Sequence, residues 1–451
     1  MSARIGHQAE SRSEIDIELQ SRHHDGKPSI NGTPHSQGGA PETQLPEIPH
    51  KTLKLLSSGF SFFVAGANDG SMGALIPYIL RNYNVGTSLI AVLYSTSFVG
   101  WVLAAVTNSH SPKFFDIGAL LAIGAVLQLL SQALRAWQPP FGLFAVTFFI
   151  TALGQAYQDS HTNTFVSTVK GAHRWLGFIH AMYGLGLLVA PFVATPIASK
   201  LSGSGWALFY LFPLGLSVIN LCWVSYSFWD SLRMIPRTQE VNGETTATTG
   251  KARNRSAFKE IKEVLLLRNM WLVGLFFFFY LGAVLTSGGW VVEYLVNVRH
   301  GNLANIGYVP AGSYGGTFLG RLVLAEPTHR FGERRMLLLY ICICFVLQLI
   351  FWLVPNLISS IVMFSIMGFF LGPCFATGVS VGSKIFPKHV KPAALGLVFV
   401  IAQAGGAIFP SLIGLIATRV GVQVLPPIVL ALIVAMGLTW AFVPKAPSHV
   451  D

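Results

Sequence analysis

The amino-acid sequence predicts an all-α polytopic membrane protein: twelve transmembrane helices in two six-helix halves. Three observations predict it. Of the 451 residues, 52% are hydrophobic and only 11% charged, where soluble domains carry about 25% charged residues. The apolar runs are long enough to cross a bilayer as helices, which takes about 20 residues each, and they lack the ten-residue alternation of a membrane barrel. Six such runs precede one long polar connection and six follow it.

Taken in order, residues 1–50 are polar, rich in Ser, Gly, Pro and His, and contain no apolar signal-peptide core. A disordered cytosolic tail is expected, with the first helix acting as its own insertion signal. The predicted spans are 54–79, 88–108, 114–134, 140–166, 174–199, 205–228, 269–296, 304–325, 334–354, 357–382, 391–417 and 422–443. An N-terminal bundle over 51–228 and a C-terminal bundle over 269–445 are therefore joined by a cytosolic loop at 229–268. Within that loop "AFKEIKEVLLL" has the apolar spacing of a short surface helix.

The net charge of +11 reports orientation. With both termini in the cytosol, 25 of the 30 Lys and Arg residues fall on that side; Arg81, Arg135, Lys200, Arg299 and Arg419 are assigned to the other. The basic residues sit in connections and form no aromatic-interleaved patch, which excludes a nucleic-acid partner. The sequons at Asn31 and Asn254 face the cytosol, where they stay unglycosylated. Cys222, Cys342, Cys344 and Cys374 all lie in apolar segments without a metal-ligand pattern, so neither metal nor cofactor is expected. No G-x-x-x-x-G-K-[ST] loop is present, which leaves an ion gradient as the energy source, and no nucleophile, base and orienting group converge as in an enzyme.

The halves echo each other. Gly186 stands five residues before Pro191 in the fifth span, and Gly405 five before Pro410 in the eleventh; "LGQAYQD" in the fourth matches "LGPCFAT" in the tenth. Parallel repeats of this kind place a binding site at their interface.

The segment "LGRLVLAEPTHRFGERRMLLLY" supplies Gly320, Arg321, Arg330, Gly332, Arg334 and Arg335, with His329 where an aspartate is usual. It resembles the loop signature of the major facilitator superfamily of secondary transporters. The equivalent loop after span two keeps only Lys113, Asp116 and Gly118. "GANDGSMGALIP", "QDSHTNTFV" and "HRWLGFIHAMYGLG" resemble the first, fourth and fifth helices of that superfamily's fucose-permease branch, fungal members included. In span seven Val284 stands where relatives tend to be polar. The resemblance implies the major facilitator fold, a gating role for the loop motif at the cytosolic edge, and proton-coupled symport of a monosaccharide or similar polyol.

Asp69 lies well inside the first span, where a carboxylate costs about 2.5–3.5 kcal/mol unless it faces a cavity or a partner. It and Asp159 are the expected proton-coupling residues, since a carboxylate that alternates between dry and wet surroundings can bind a proton in one and release it in the other. Asn68 is an expected substrate contact through its amide, as are Asn163, one turn after Asp159 on the same face, and His180 with Tyr183 on the fifth span. His161 points away from Asp159. Trp290 and Gln403 are expected to contact solute from the C-terminal half, because sugars stack on aromatic faces and hydrogen-bond amides. Glu293 reads as an interfacial carboxylate or an outer gate contact. Thr377 occupies the repeat position of Asp159, so protonation is assigned to the N-terminal half and neutral contacts to the C-terminal one.

The expected function is proton-coupled symport of a small neutral solute, most simply a monosaccharide or polyol. Proton-antiport export of a drug or metabolite and a transport-inactive membrane sensor are the alternatives. Partners are the solute, protons and membrane lipid, with the protein a monomer. The plasma membrane is the expected location, with vacuolar and endosomal membranes as alternatives.

Overall fold

The computed structural model describes residues 49–233 and 262–445 except Ser109, Ser202 and Lys388, with the side chains of Lys113, His173 and Pro392 also left aside. The expected N-terminal tail and most of the central loop, with both sequons, lie outside these residues.

The first predicted span is a broken helix, α1 (Lys51–Asp69) and α2 (Met72–Tyr83). At the break the Ser71 hydroxyl donates to the Asn68 carbonyl at 2.7 Å, satisfying an acceptor that the interrupted ladder leaves free. Then follow α3 (Thr87–Thr107), α4 (Ile117–Ala136), α5 (Phe141–Ser167), α6 (Ala172–Lys200) and α7 (Leu211–Ser227). A 3-10 stretch at Gly203–Tyr210 leads into α7. The C-terminal set comprises α8 (Arg268–Asn297), the turn α9 (Leu303–Ile306), α10 (Val309–Val323), α11 (Ala325–Phe331), α12 (Glu333–Leu353), α13 (Leu357–Ile385), α14 (Lys391–Val420) and α15 (Leu425–Ala441). Ten helices among the described residues are long and apolar enough to cross a membrane. The other two predicted spans are the broken α1–α2 and the 15-residue α10 with its flanking turns. Of the predicted surface helix, residues 262–266 are helical.

Helix contacts repeat between the halves. In the first, α1 packs on α6 and α7, α3 on α5, and α4 on α5 and α7; in the second, α8 packs on α14 and α15, α10 on α13, and α12 on α13 and α15. The paired glycines explain part of this. A Cβ on Gly186 would overlap the Phe63 carbonyl of α1, and one on Gly405 would overlap the Phe278 carbonyl of α8. Each glycine thus lets the fifth helix of its half approach the first at backbone distance.

The chain enters at Lys51 on the face that also receives the central connection and Lys445, here termed the basic face. On the opposite face the halves meet through α3 with α14, α6 with α10, and α2 with α8. Both side-chain hydrogen bonds that cross between halves among the described residues lie there: Thr87 donates to the Gly414 carbonyl at 2.9 Å and Ser411 to the Ala91 carbonyl at 3.2 Å.

Candidate substrate and coupling site

The break after Asp69 places Asn68 and Asp69 on the last turn of α1, half-buried among α4, α5 and α6. Asp69 is held from three directions. Its Oδ1 accepts from Asn68 Nδ2 at 2.9 Å and from Gln155 Nε2 of α5 at 3.0 Å, and its Oδ2 accepts from the Tyr183 hydroxyl of α6 at 2.9 Å. Gln155 and Tyr183 lie 12 and 11 residues from the basic-face ends of α5 and α6, about 17–18 Å at 1.5 Å per residue, near mid-membrane. Donors from several helices offset the cost of a carboxylate at that depth.

Asn68 is committed to the protein. Its Oδ1 accepts from Gln132 Nε2 and from Arg135 Nη1, each at 2.9 Å, while its amide nitrogen serves Asp69. It therefore orients Asp69, where the sequence suggested a solute contact. Arg135, assigned from sequence to the far membrane edge, is only 1% exposed. Its Nε donates to Thr147 Oγ1 at 2.7 Å, its Nη2 to Thr151 Oγ1 at 3.0 Å, and its guanidinium lies 3.9 Å from the Phe148 ring centre. The charges of Arg135 and Asp69 are thus linked through one amide, Arg135 to Asn68 to Asp69.

Asp159 follows Gln155 by one turn on the same face of α5, about 6 Å nearer the basic face. Its side-chain hydrogen-bond partner is Asn163, which donates to Oδ1 at 3.2 Å and to the Asp159 carbonyl at 2.9 Å. No hydrogen bond joins Asp69 and Asp159 among the described residues. His161 is buried beside the Tyr157 ring and away from Asp159. His180 sits between the halves, its ring edge-on to Phe62 of α1 and 6.2 Å from Phe375 of α13.

The C-terminal expectations fare unevenly. Trp290 is fully buried and donates its indole N–H to the Pro410 carbonyl at 3.0 Å, so it ties α8 to α14 instead of facing a solute. Gln403 is half-buried on the α14 stripe that includes Ser411 and Gly414, the residues that meet α3. Glu293 accepts from Asn297 at 2.7 Å and lies within electrostatic reach of Arg81 on α2. Thr377 is buried in α13.

The loop motif divides. Gly320 brings α10 against the Phe369 carbonyl of α13. Gly332, at φ 97°, makes the turn into α12, a conformation that favours glycine. Arg330 pairs with exposed Glu326 at 2.5 Å, and Arg334 donates to the Ala441 carbonyl that ends α15. Arg335 is exposed. Arg321 differs. It belongs to α10, not to the basic-face loop, and its Nε donates at 3.2 Å to the Gly372 carbonyl, 13 residues or about 20 Å from the basic-face end of α13. All these named contacts stay within the C-terminal half.

Sequence reasoning also passed over Gln132 and Gln155, whose signal was an amide inside an apolar run. It passed over Tyr94 and Tyr314 as well. The buried Tyr94 hydroxyl has no hydrogen-bond partner among the described residues and points at Gly289 of α8, and Tyr314 of α10 lies within electrostatic reach of Asp69, Tyr94 and Tyr183.

A helical membrane protein whose halves repeat their packing around a mid-membrane polar centre has the architecture of a secondary transporter. The family model described as Major Facilitator Superfamily matches residues 58–410 and 290–451, and the chain belongs to that superfamily. It is therefore a multi-pass membrane transporter and not an enzyme. It is 27% identical over 422 residues to Bypass of stop codon protein 6 of Saccharomyces cerevisiae, covering 88% of this chain and 84% of that one. It is 24% identical to the cis,cis-muconate transport protein of Acinetobacter baylyi, covering 79% and 86%, and 21% identical to the glucose/mannose transporter GlcP of Bacillus subtilis, covering 78% and 85%. Among solved structures, the nucleoside transporter NupG superposes with a TM-score of 0.65 at 14% identity, covering 87% of this chain and 100% of that one. FucP in its outward conformation gives 0.61 at 17%, covering 87% and 99%.

Proposed function

We propose that this transporter is a proton-coupled symporter of a small polyhydroxylated solute, of the monosaccharide or polyol kind, working by alternating access. The observation that carries the proposal is Asp69, a mid-membrane carboxylate fixed at a helix break by donors from α1, α5 and α6. Asp159, a turn farther along the face of α5 that carries Gln155, is the second coupling carboxylate, with Asn163 beside it. His180 and Tyr183 face the solute from α6. The stacked rings of Phe375 and Phe399, 5.9 Å apart, offer the aromatic surface first assigned to Trp290. The name of the glucose/mannose transporter GlcP supports the sugar class, as does the resemblance of the N-terminal motifs to the fucose-permease branch. A neutral solute suited the sequence reading; the charge of Arg321 argues against neutrality.

The division into bundles at 51–228 and 269–445 gives the moving bodies, with Gly320, Gly332, Arg330, Arg334 and Arg335 bracing the C-terminal one. The basic face is cytosolic, the membrane is the plasma membrane, and the protein acts as a monomer. Reassigning Arg135 and Arg321 to the interior leaves 24 basic residues on the cytosolic side against 4. Export by proton antiport uses the same carboxylates and differs in the sign of coupling.

The test is solute accumulation by purified protein in liposomes, with and without an inward proton gradient, across hexoses, deoxyhexoses, polyols and their acids. Gradient-driven accumulation that Asp159→Asn loses is the expected result. Accumulation driven only by an outward gradient would establish export, and the absence of flux from folded protein would leave a sensing role.

A further inference from the structure

Arg321 places a guanidinium in the interior of the membrane, and such a group requires either a partner or a task. Its Nε–H is used by the Gly372 carbonyl, and among the described residues no carboxylate forms an ion pair with it. The side chain is in a half-buried residue of α10. It lies within electrostatic reach of His180 and Tyr183 on α6 and of Tyr280 on α8, and so at the junction of the halves.

The levels agree. Gly372, which receives the Arg321 Nε–H, is about 20 Å from the basic-face end of its helix. Tyr280, 12 residues into α8, is about 18 Å in. Gln155 and Tyr183, which hold Asp69, are at about 17–18 Å. Asp69 of the first half and Arg321 of the second therefore stand at one depth with Tyr183 within reach of both, and the Tyr183 hydroxyl donates a hydrogen bond to Asp69. His180, on the α6 face one turn before Tyr183, touches Phe375, itself one turn after Gly372 on α13.

We infer that the solute carries a carboxylate, which docks on the terminal guanidinium nitrogens of Arg321, beside His180 and Tyr280, while its hydroxyls face Asp69 and Tyr183. This deepens the transport reading and rests on it. The chemistry is that of a hydroxy acid or sugar acid. A guanidinium presents a planar fork of donors that matches a carboxylate in two parallel hydrogen bonds, which a lysine ammonium does not reproduce. The hydroxyls of a neutral sugar could accept from those donors but would leave the guanidinium without a counter-charge. The muconate transport protein, by its name, carries an acid.

The experiment is binding by thermal shift of the purified full chain, using D-galacturonate, D-gluconate, succinate, D-galactose and sorbitol, each at pH 6 and pH 7.5, followed by titration of any ligand that stabilises. Three variants accompany it: Arg321→Gln, Arg321→Lys, and Arg419→Gln as a charge-matched change at an exposed position far from the site. At least one carboxylate is expected to stabilise the protein more than its neutral counterpart. Arg321→Gln should weaken its binding about 30-fold or more, Arg321→Lys should weaken it less, and Arg419→Gln should leave it unchanged. Should Arg321→Gln not fold, Arg321→Lys alone decides, because equal affinity for Lys and Arg contradicts paired docking. Silence towards all three carboxylates overturns the inference; if galactose or sorbitol then binds, the transport reading stands with a neutral solute. Carboxylate binding that Arg321→Gln leaves intact also overturns it.

Discussion

Replacing Arg135 by methionine keeps most of the side chain's bulk and removes three donated hydrogen bonds, to Thr147, Thr151 and Asn68. It also removes the guanidinium from the Phe148 face. Hydrogen bonds to a charged group are worth about 1.5–3 kcal/mol each in soluble proteins, and polar pairs within membranes average nearer ~0.6 kcal/mol. Three at the membrane average contribute about 2 kcal/mol and three at the lower soluble figure about 4.5 kcal/mol, a range of about 2–5 kcal/mol. The upper part of that range matches the ~3–5 kcal/mol expected when one member of a buried charge pair is deleted and the other is left uncompensated. The stranded member is Asp69, reached through Asn68. Asp69→Asn keeps the hydrogen-bonding shape and removes that charge. The double variant should cost less than the sum of the singles, by about 1–3 kcal/mol. Unfolding in mixed micelles with increasing dodecyl sulfate, followed by fluorescence of the 10 tryptophans, measures all four corners of the cycle. Additivity within about 0.5 kcal/mol would refute the amide link between the two charges.

Gly405→Leu should abolish monodisperse protein on size exclusion, because its Cβ alone would overlap the Phe278 carbonyl; Gly396→Leu, at a position where a Cβ meets nothing within 4 Å, should be tolerated. The pair Gly307→Cys with Thr195→Cys should cross-link: a Cβ on residue 307 would lie 3.1 Å from the Thr195 Cβ, so a relaxation outward of about half an ångström reaches the roughly 3.5–4.5 Å that a disulfide needs. That bridge fastens the halves on the face away from Lys51, so uptake should fall to background and return with reductant; uptake through fully cross-linked protein would show that the halves do not separate there. Trp290→Phe should lower stability by about 1 kcal/mol through loss of the bond to Pro410 and leave KM unchanged, whereas a tenfold rise in KM would restore Trp290 to the solute.

Much of the architecture was legible because hydropathy acts over whole segments. Ten of the predicted spans coincide with long apolar helices to within a few residues, the first and eighth are interrupted, and the Gly186 and Gly405 echo located the same helix contact in both halves. Asp69 and Asp159 stood out because a carboxylate in an apolar run is costly wherever it points. What the sequence could not convey was the direction of a side chain at a known depth. Arg135, one residue from the end of its helix, has the address of an interfacial charge, and only the packing of α1 and α5 against α4 turns it inward. Arg321 reads as part of a basic loop because Arg330, Arg334 and Arg335 follow it, yet the contact with Gly372 sets it near mid-membrane. Trp290 suited a sugar-stacking role by type, and the neighbouring α14 carbonyl decided otherwise. Asn68 read as a solute contact from its amide alone, and the sequence carried no sign that Gln132 and Arg135 take its acceptor.

The most direct test of coupled transport is internal pH in liposomes that enclose a pH-sensitive dye and start with no proton gradient. On adding whichever of D-galacturonate, D-gluconate, succinate, D-galactose or sorbitol stabilises the protein, the lumen should acidify as solute enters, and Asp159→Asn should abolish the acidification. Entry of radiolabelled solute through the wild-type protein with the internal pH unchanged would contradict proton symport.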